Sequence, residues 1–523
     1  MTQDYSYDQV NYESYPYPQS SPIHLRTIGG VFGLNAPDLA NARILELGCA
    51  AGGNIIPFAY MYPNSKCVGV ELSKNQVEQG TNLIEKLGIK NIELKHMSIT
   101  DIDESFGEFD YIIAHGVFSW VPRLVQDKIL EICSKNLSKN GIAYISYNTL
   151  PGWNMIKSIR EMMLYHSQGF SDEREKVVQA RLLLQFIKDA TVDNNSAYSK
   201  LLQTEAEMLA QQPDHYIRHD HMEDDNHPCY FHDFMARANE IGLQYLGDSS
   251  LPSMYLGNIP NKAAEKLAEI KDIVRSEQYM DYVTNRRFRS TLLCKSDIVL
   301  NRNLVHTDIE KFFITANITP EKPISDINLE SNIDTAKFYA YNSKDQMIST
   351  ASPPMKAIFY ALAENSCKML KTDEIVALAA KKLKNVTAQQ IKQEFLANGL
   401  KLVLAGYLGI KLDGPAYKSE PSQKPKVSEL VRAQCEYMPG LWVTNLKHER
   451  IGINLLDKVA FRYFDGKHTL EEVRSKVLER ILLGELSINK NEQKLEDKDE
   501  ITKELTTIFG FLEERLRNAA ILE

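Results

Sequence analysis

The stretch RILELGCAAGGN, residues 43–54, decides the fold of this chain. An apolar run over 43–47 reads as a strand, and Gly48 permits a tight turn immediately after it. Ala50 and Gly52 keep the following backbone open to close approach by a ligand. Four further strand candidates follow: KCVGVE at 66–71, IELKHM at 92–97, FDYIIAH at 109–115 and GIAYISY at 141–147. Several are nearly continuous apolar runs, as strands covered on both faces by helices should be. Between them, Ser73 and Gln76 have capping-box spacing ahead of an apolar face at Val77, Leu83, Ile84 and Leu87, and Gly88 supplies a stop. A second helix from about Leu124 to Leu137 places Val125, Ile129, Ile132 and Cys133 on one side, with Asn140-Gly141 as a turn before the next strand. Strands and helices alternating at this spacing predict a doubly wound α/β sheet.

The loop carries chemistry as well as geometry. Glu46 puts negative charge beside exposed amides, and Asn54 ends the motif as a further candidate cofactor-binding residue. That mixture suits S-adenosylmethionine, whose amino group and sulfonium are cationic and whose carboxylate can accept from backbone N–H groups. Glu71, at the end of the second strand, is placed to accept both ribose hydroxyls. Leu72 and Ile99 are candidates to flank the adenine, with Ser98 at its edge. Each feature has a plainer reading: glycine turns follow strands without any cofactor, and Glu71 alone could cap a helix. Their placement on consecutive strand ends favours nucleotide-type binding. The spacing Gly48-x-Ala50-x-x-Gly53 loosely matches the dinucleotide fingerprint. Ala50 nevertheless replaces its middle glycine, and Glu46 would sit poorly beside a pyrophosphate, so methyl transfer is favoured over hydride transfer.

Lys plus Arg total 60 against 69 Asp plus Glu, a formal charge of −9 that argues against a nucleic-acid partner held by broad charge. The start lacks a basic stretch followed by an apolar run, so no secretory signal is expected, and no apolar run is long enough to span a bilayer. Seven scattered cysteines without a CxxC pair suit free thiols in a reducing, cytoplasmic compartment.

Around the fourth strand end, His115 is a candidate to contact the cofactor and shape its pocket, or to accept a proton. Trp120 is read either as the wall of a lysine channel or as core. Tyr147, Asn148 and Trp153 form a second candidate rim, with a core-only role as the alternative. Tyr5, Tyr7, Tyr12, Tyr15 and Tyr17 crowd the first residues, and Pro16 and Pro18 make this segment extended. Such a segment predicts a lid or substrate wall, with Tyr12 and Tyr15 facing substrate and Tyr17 nearest the chemistry. His215, His219, His221, His227 and His232 invite a metal hypothesis, but their spacing lacks a compact ligand pattern and no metal is expected. The expected divisions are an aromatic segment at 1–40, a cofactor-binding core at 41–155 and a helical insertion with connector at 156–265. A middle regulatory or assembly domain at 266–417, a linker at 418–426 and a C-terminal domain at 427–523 complete them.

The landmarks ELGCAAGG at 46–53, GVE at 69–71, FDYIIAHGVFSWV at 109–121 and NGIAYISYN at 140–148 resemble those of class I methyltransferases. Together with YESYPYPQSSPIHL at 12–25, HDHMEDDNHPCYFHDF at 219–234, GLQYLGDS at 242–249 and FRSTLLC at 288–294, they make the whole chain similar to the rickettsial protein-lysine methyltransferases that modify outer membrane protein B. The same segments occur in the wider bacterial group with a methyltransferase regulatory region. The resemblance implies a class I Rossmann-like sheet with additional predominantly helical domains, S-adenosylmethionine as cofactor, and direct methyl transfer to lysine. It further implies outer membrane protein B as substrate before export, and a homodimer. By the family pattern Glu46, Gly48, Ala50 and Gly52 form the cofactor loop, Glu71 is the ribose acid, and Ser98 with Ile99 marks adenine recognition. Many class I enzymes carry Asp where Ser98 stands. A small-molecule or RNA methyltransferase is the enzymatic alternative, and a nonenzymatic donor-binding scaffold the alternative of another class.

Overall fold

The computed structural model describes residues 13–316, 318–340, 343–490 and 493–523. Tyr5, Tyr7 and Tyr12 lie outside these. The sheet is built from β1 (Arg43–Leu47), β2 (Lys66–Glu71), β3 (Ile92–His96), β4 (Phe109–Ala114), β5 (Leu137–Asn148), β6 (Leu243–Asp248) and β7 (Phe288–Lys295). Their order is β3-β2-β1-β4-β5-β7-β6, with β7 running antiparallel between β5 and β6. All five strands expected from the apolar runs are present and parallel to one another.

The sheet extends past residue 155, where the sequence pattern placed the end of the core, because β6 and β7 complete it. These strands were hard to see because β7 buries a charge. Arg289 is 1% exposed and donates to Asp281 at 2.8 Å and to Glu277 at 2.9 Å. A buried arginine is tolerated only with such partners, and it breaks the apolar run that marks an ordinary covered strand.

The helices of the first half are α1 (Pro22–Val31), α2 (Ile55–Met61), α3 (Lys74–Leu87) and α4 (Arg123–Lys135). The Ser73 hydroxyl accepts from the Gln76 N–H at 3.3 Å, and Gly88 ends α3 in the left-handed conformation at φ +65°. Asn140-Gly141 is not a turn. Both residues lie inside β5, which begins at Leu137 and absorbs a register shift opposite Phe109 and Tyr111. Glycine serves close approach there, since a Cβ on Gly141 would meet the Asp110 carbonyl oxygen at 2.9 Å.

A helical insertion follows as α5 (Trp153–Ser167), α6 (Glu173–Thr191), α7 (Ala197–Ala210) and α8 (Asp214–His221), and it packs its own small core around Met163, Val177 and Leu202. Next, α9 (Phe231–Glu240) covers the sheet through Phe234 and Met235. The middle segment adds helices Pro353–Glu364, Thr372–Ala380 and Ala388–Leu404. It also contains short sheets that the helical pattern did not announce, such as Phe313–Ala316 paired with Leu408–Lys411. Its apolar side chains share one core with α1 and one face of the large sheet. The C-terminal segment has a separate core and a hairpin of Trp442–Thr444 and Arg450–Gly452. It docks on α2, where the Glu429 N–H donates to the Tyr60 hydroxyl at 2.9 Å and that hydroxyl donates to Glu523. Among the described residues no helix is long and apolar enough to cross a membrane.

Candidate active site

The site begins where β1 ends. Gly48 turns at φ +70°, and its N–H and that of Cys49 donate to the Val70 carbonyl at 2.8 and 3.1 Å. A Cβ on Gly48 would lie 2.5 Å from a Val117 methyl, so both the conformation and the space require glycine. Ala50 is itself left-handed at φ +47°. The Glu71 carboxylate latches it there, accepting from the Ala50 N–H at 3.0 Å and from the Ser73 N–H at 2.9 Å. The two acidic positions singled out in the sequence thus meet at one loop.

Glu46 is 3% exposed. One of its oxygens accepts from Asn54 Nδ2 at 2.7 Å, while Oε2 has no partner among the described residues. Burial pushes its pKa up to about 8; the Asn54 hydrogen bond opposes this and the charge of Glu71 adds to it. A buried acceptor left open beside a glycine turn is costly unless a cation or donor fills it. The ammonium or sulfonium of S-adenosylmethionine has the required chemistry, so the residues present fit that donor.

Residues 13–20 form a strap across the loop. The Gly53 N–H donates to the Ser14 hydroxyl at 2.7 Å, and the Tyr17 N–H donates to Asn54 Oδ1 at 2.9 Å. The Tyr17 ring lies 3.9 Å from the His115 ring, centroid to centroid. His115 Nδ1 shares hydrogen bonds with the Tyr144 hydroxyl at 2.8 Å and with the Ser146 hydroxyl at 3.3 Å. Desolvation lowers its pKa to about 4, so the imidazole is neutral near pH 7. Tyr15 turns instead toward the C-terminal segment, 5.1 Å from the Trp442 ring and 4.4 Å from the Arg450 guanidinium.

Trp120 and Trp153 meet edge to face at 6.0 Å, and Trp153 Nε1 donates to Asn226 at 2.8 Å. Tyr147 requires correction from rim to core. It is 1% exposed, stacks on Phe234 at 4.4 Å and shares a hydrogen bond with Thr291 at 2.9 Å. The pleat explains this, because Tyr144 and Ser146 reach His115 and Tyr147 must therefore face the opposite side of β5. Asn148 returns to the first side. Its Nδ2 is buried without a partner among the described residues, and its N–H donates to the Ser119 hydroxyl at 2.8 Å. Leu72 is 46% exposed beside Glu71, and Ile99 packs partly against the core. The Ser98 hydroxyl accepts from the Thr100 N–H at 3.2 Å, capping the short turn Ile99–Asp101.

The clustered histidines take separate partners: His219 pairs with Glu223 at 2.8 Å, His227 with Asp225 at 3.1 Å and His232 with Gln278 at 2.9 Å. No group of three or more potential ligands is placed to hold a metal among the described residues. Sequence reasoning missed Tyr144 and Ser146, which strand alternation marks as neighbours of His115. It also missed His448, whose only signal is spatial: Nε2 lies 2.8 Å from Asn54 Oδ1.

Three family models match successive parts of the chain. They are a methyltransferase domain at 38–226, a predicted methyltransferase regulatory domain at 213–295 and the C-terminal winged helix domain of PKMT at 423–521. An uncharacterised protein of Rickettsia prowazekii, RP789, is 50% identical over 99% of this chain and 93% of its own length. A second uncharacterised protein of that organism, RP028, is 48% identical over 47% of this chain and 98% of its own length. Among solved structures, PKMT2 from Rickettsia typhi in complex with AdoHcy superposes with a TM-score of 0.90 at 39% identity, covering 98% of this chain and 99% of that one. With this likeness running end to end over the sheet and the loop described above, the chain belongs to the rickettsial protein-lysine methyltransferase family that includes PKMT2.

Proposed function

We propose that this protein is an S-adenosylmethionine-dependent protein-lysine N-methyltransferase that acts as a homodimer in the cytoplasm on a bacterial outer membrane protein, outer membrane protein B, before its export. The likeness to PKMT2 over 98% of the chain carries the reading. The open Glu46 oxygen beside the glycine turn supports the donor independently. The choice of substrate follows the family likeness. The dimer finds support in α6, which exposes Val178, Leu182 and Phe186 along one stripe.

Glu46, Gly48, Ala50 and Gly52 would hold the amino-acid end of the donor, with Asn54 fixing the Glu46 carboxyl; Glu71 would hold its ribose, and Leu72, Ser98 and Ile99 would border its base. When bound, S-adenosylmethionine supplies an electrophilic methyl on a sulfonium leaving group, open to in-line displacement by a neutral amine. An ordinary lysine with pKa about 10.4 is neutral only about one part in a thousand near pH 7.4. Burial between Trp120, Trp153 and the Tyr17–His115 pair favours that neutral form, since desolvation penalises the ammonium. His115, at about 4, is too weak a base to compete for that proton. Its part is to fix the wall that Tyr17 completes, and the proton leaves to solvent before attack. Asn148 Nδ2 and the tryptophan faces line the approach of the aliphatic chain.

Incubation with methyl-labelled donor and purified outer membrane protein B, followed by mass spectrometry of the product, tests the reading. Label on lysine side chains is the expected outcome. Label found only in RNA or a metabolite rejects the protein-lysine assignment.

A further inference from the structure

We infer that His448, carried by the turn of the C-terminal hairpin, is a positioning residue of the methyl-donor site. The inference rests on the donor reading above and extends it to a domain that lies far from the loop in sequence.

Asn54 is the hub. Its Nδ2 donates to Glu46 at 2.7 Å and to the Ser20 hydroxyl at 3.1 Å, while its Oδ1 accepts from the Tyr17 N–H at 2.9 Å and pairs with His448 Nε2 at 2.8 Å. Two hydrogens and two lone pairs are all that a side-chain amide offers, and all four are used. The Glu46 acceptor fixes which way the amide faces. His448 must then present Nε2–H, because Asn54 Oδ1 has no hydrogen to give.

The turn is built to deliver that ring. His448 is fully buried and left-handed at φ +65°, a conformation that side chains other than glycine seldom adopt. Asn445 braces the turn, accepting from the Lys447 and Glu449 N–H groups at 2.9 and 2.8 Å. The same hairpin grips the strap through Trp442 and Arg450 against Tyr15. The winged helix segment therefore closes the donor site from outside the methyltransferase domain. It sets Asn54, and Asn54 aims the Glu46 carboxyl whose other oxygen stays open. Strained backbone and a buried polar contact at one point are what a functional constraint produces.

If donor binding and hairpin docking share this hydrogen bond, each stabilises the other by the same factor. The test uses the full chain and AdoHcy. Titration calorimetry of the His448→Ala variant is expected to show affinity about tenfold weaker, the effect of one buried hydrogen bond. His448→Gln, which also presents an N–H, is expected to recover to within about threefold, with kcat at saturating donor preserved in both. In the unmodified protein, AdoHcy is expected to slow amide exchange across 442–452, a measurement that needs no variant to fold. Equal affinity in His448→Ala, no recovery in His448→Gln, or unchanged exchange in that hairpin each overturns the inference. Failure of the unmodified protein to bind AdoHcy overturns the donor reading instead.

Discussion

At the scale of the residue, Glu46 has a folded pKa of about 8 against about 4.3 for a free glutamate, raised chiefly by burial. A raised folded pKa has a definite sign. The carboxyl costs the fold nothing below about pH 4, and the cost of ionising it accumulates as pH rises toward 8. A bound cation offsets that cost, so donor affinity should climb between pH 6.5 and 8.5 as the ionised form becomes accessible. Glu46→Gln keeps the acceptor for Asn54 and removes the charge. Calorimetry should show donor affinity lowered about tenfold to a hundredfold and nearly flat with pH. Thermal melts should place the variant a few degrees above the parent at pH 9 and level with it at pH 4. A variant that binds as tightly as the parent, with the same pH slope, removes Glu46 from the donor site. The acid itself was legible in the sequence, two residues before Gly48. Its open oxygen was not, because burial and the position of Asn54 are products of packing.

At the scale of the element, the strap of residues 13–20 depends on Gly53. A Cβ there would sit 2.0 Å from the Ser14 carbonyl oxygen, which no side-chain rotation relieves because the obstacle is backbone. Gly53→Ala should lift the strap and take Tyr17 off His115. The expected signs are faster amide exchange over residues 14–18 and a donor KM raised about tenfold, for the loss of the Gly53–Ser14 and Tyr17–Asn54 bonds. Exchange as slow as in the parent would show that the strap is held elsewhere. Two prolines around one tyrosine were enough to predict an extended segment, and residues 13–17 form one against the glycine turn. The direction of Tyr15 was beyond sequence reading, since its partners Trp442 and Arg450 lie more than 400 residues on. The strands divide in the same way. Apolar runs located β1 to β5, whereas β7, with Arg289 neutralised inside it, follows a rule that only becomes visible once Glu277 and Asp281 are beside it. Tyr147 went astray for a local reason, because the two-residue alternation of β5 was readable and places it opposite Ser146.

At the scale of the molecule, several segments converge on one loop, and α6 is left with an apolar face uncovered. Its inward side chains Val177, Ala180 and Leu184 fill the small core of the insertion. Val178, Leu182 and Phe186 are four residues apart and 45%, 57% and 67% exposed, which makes a continuous stripe one turn per step. Tyr165 and Tyr198 add exposed aromatic surface on the neighbouring helices of the same insertion. A stripe of this kind marks an interaction surface, and in a twofold contact the same patch serves both copies. Light scattering should therefore return twice the 59.5 kDa chain mass for the parent, and the single-chain mass for Leu182→Glu combined with Phe186→Glu. Both positions point away from the insertion's own core, so circular dichroism and AdoHcy affinity should be unchanged. A parent that scatters as a single chain, or a double variant that keeps the double mass, would assign the stripe another role. The charge on each copy would face its own image across the axis, which is why two glutamates suffice to separate a contact built on three apolar side chains.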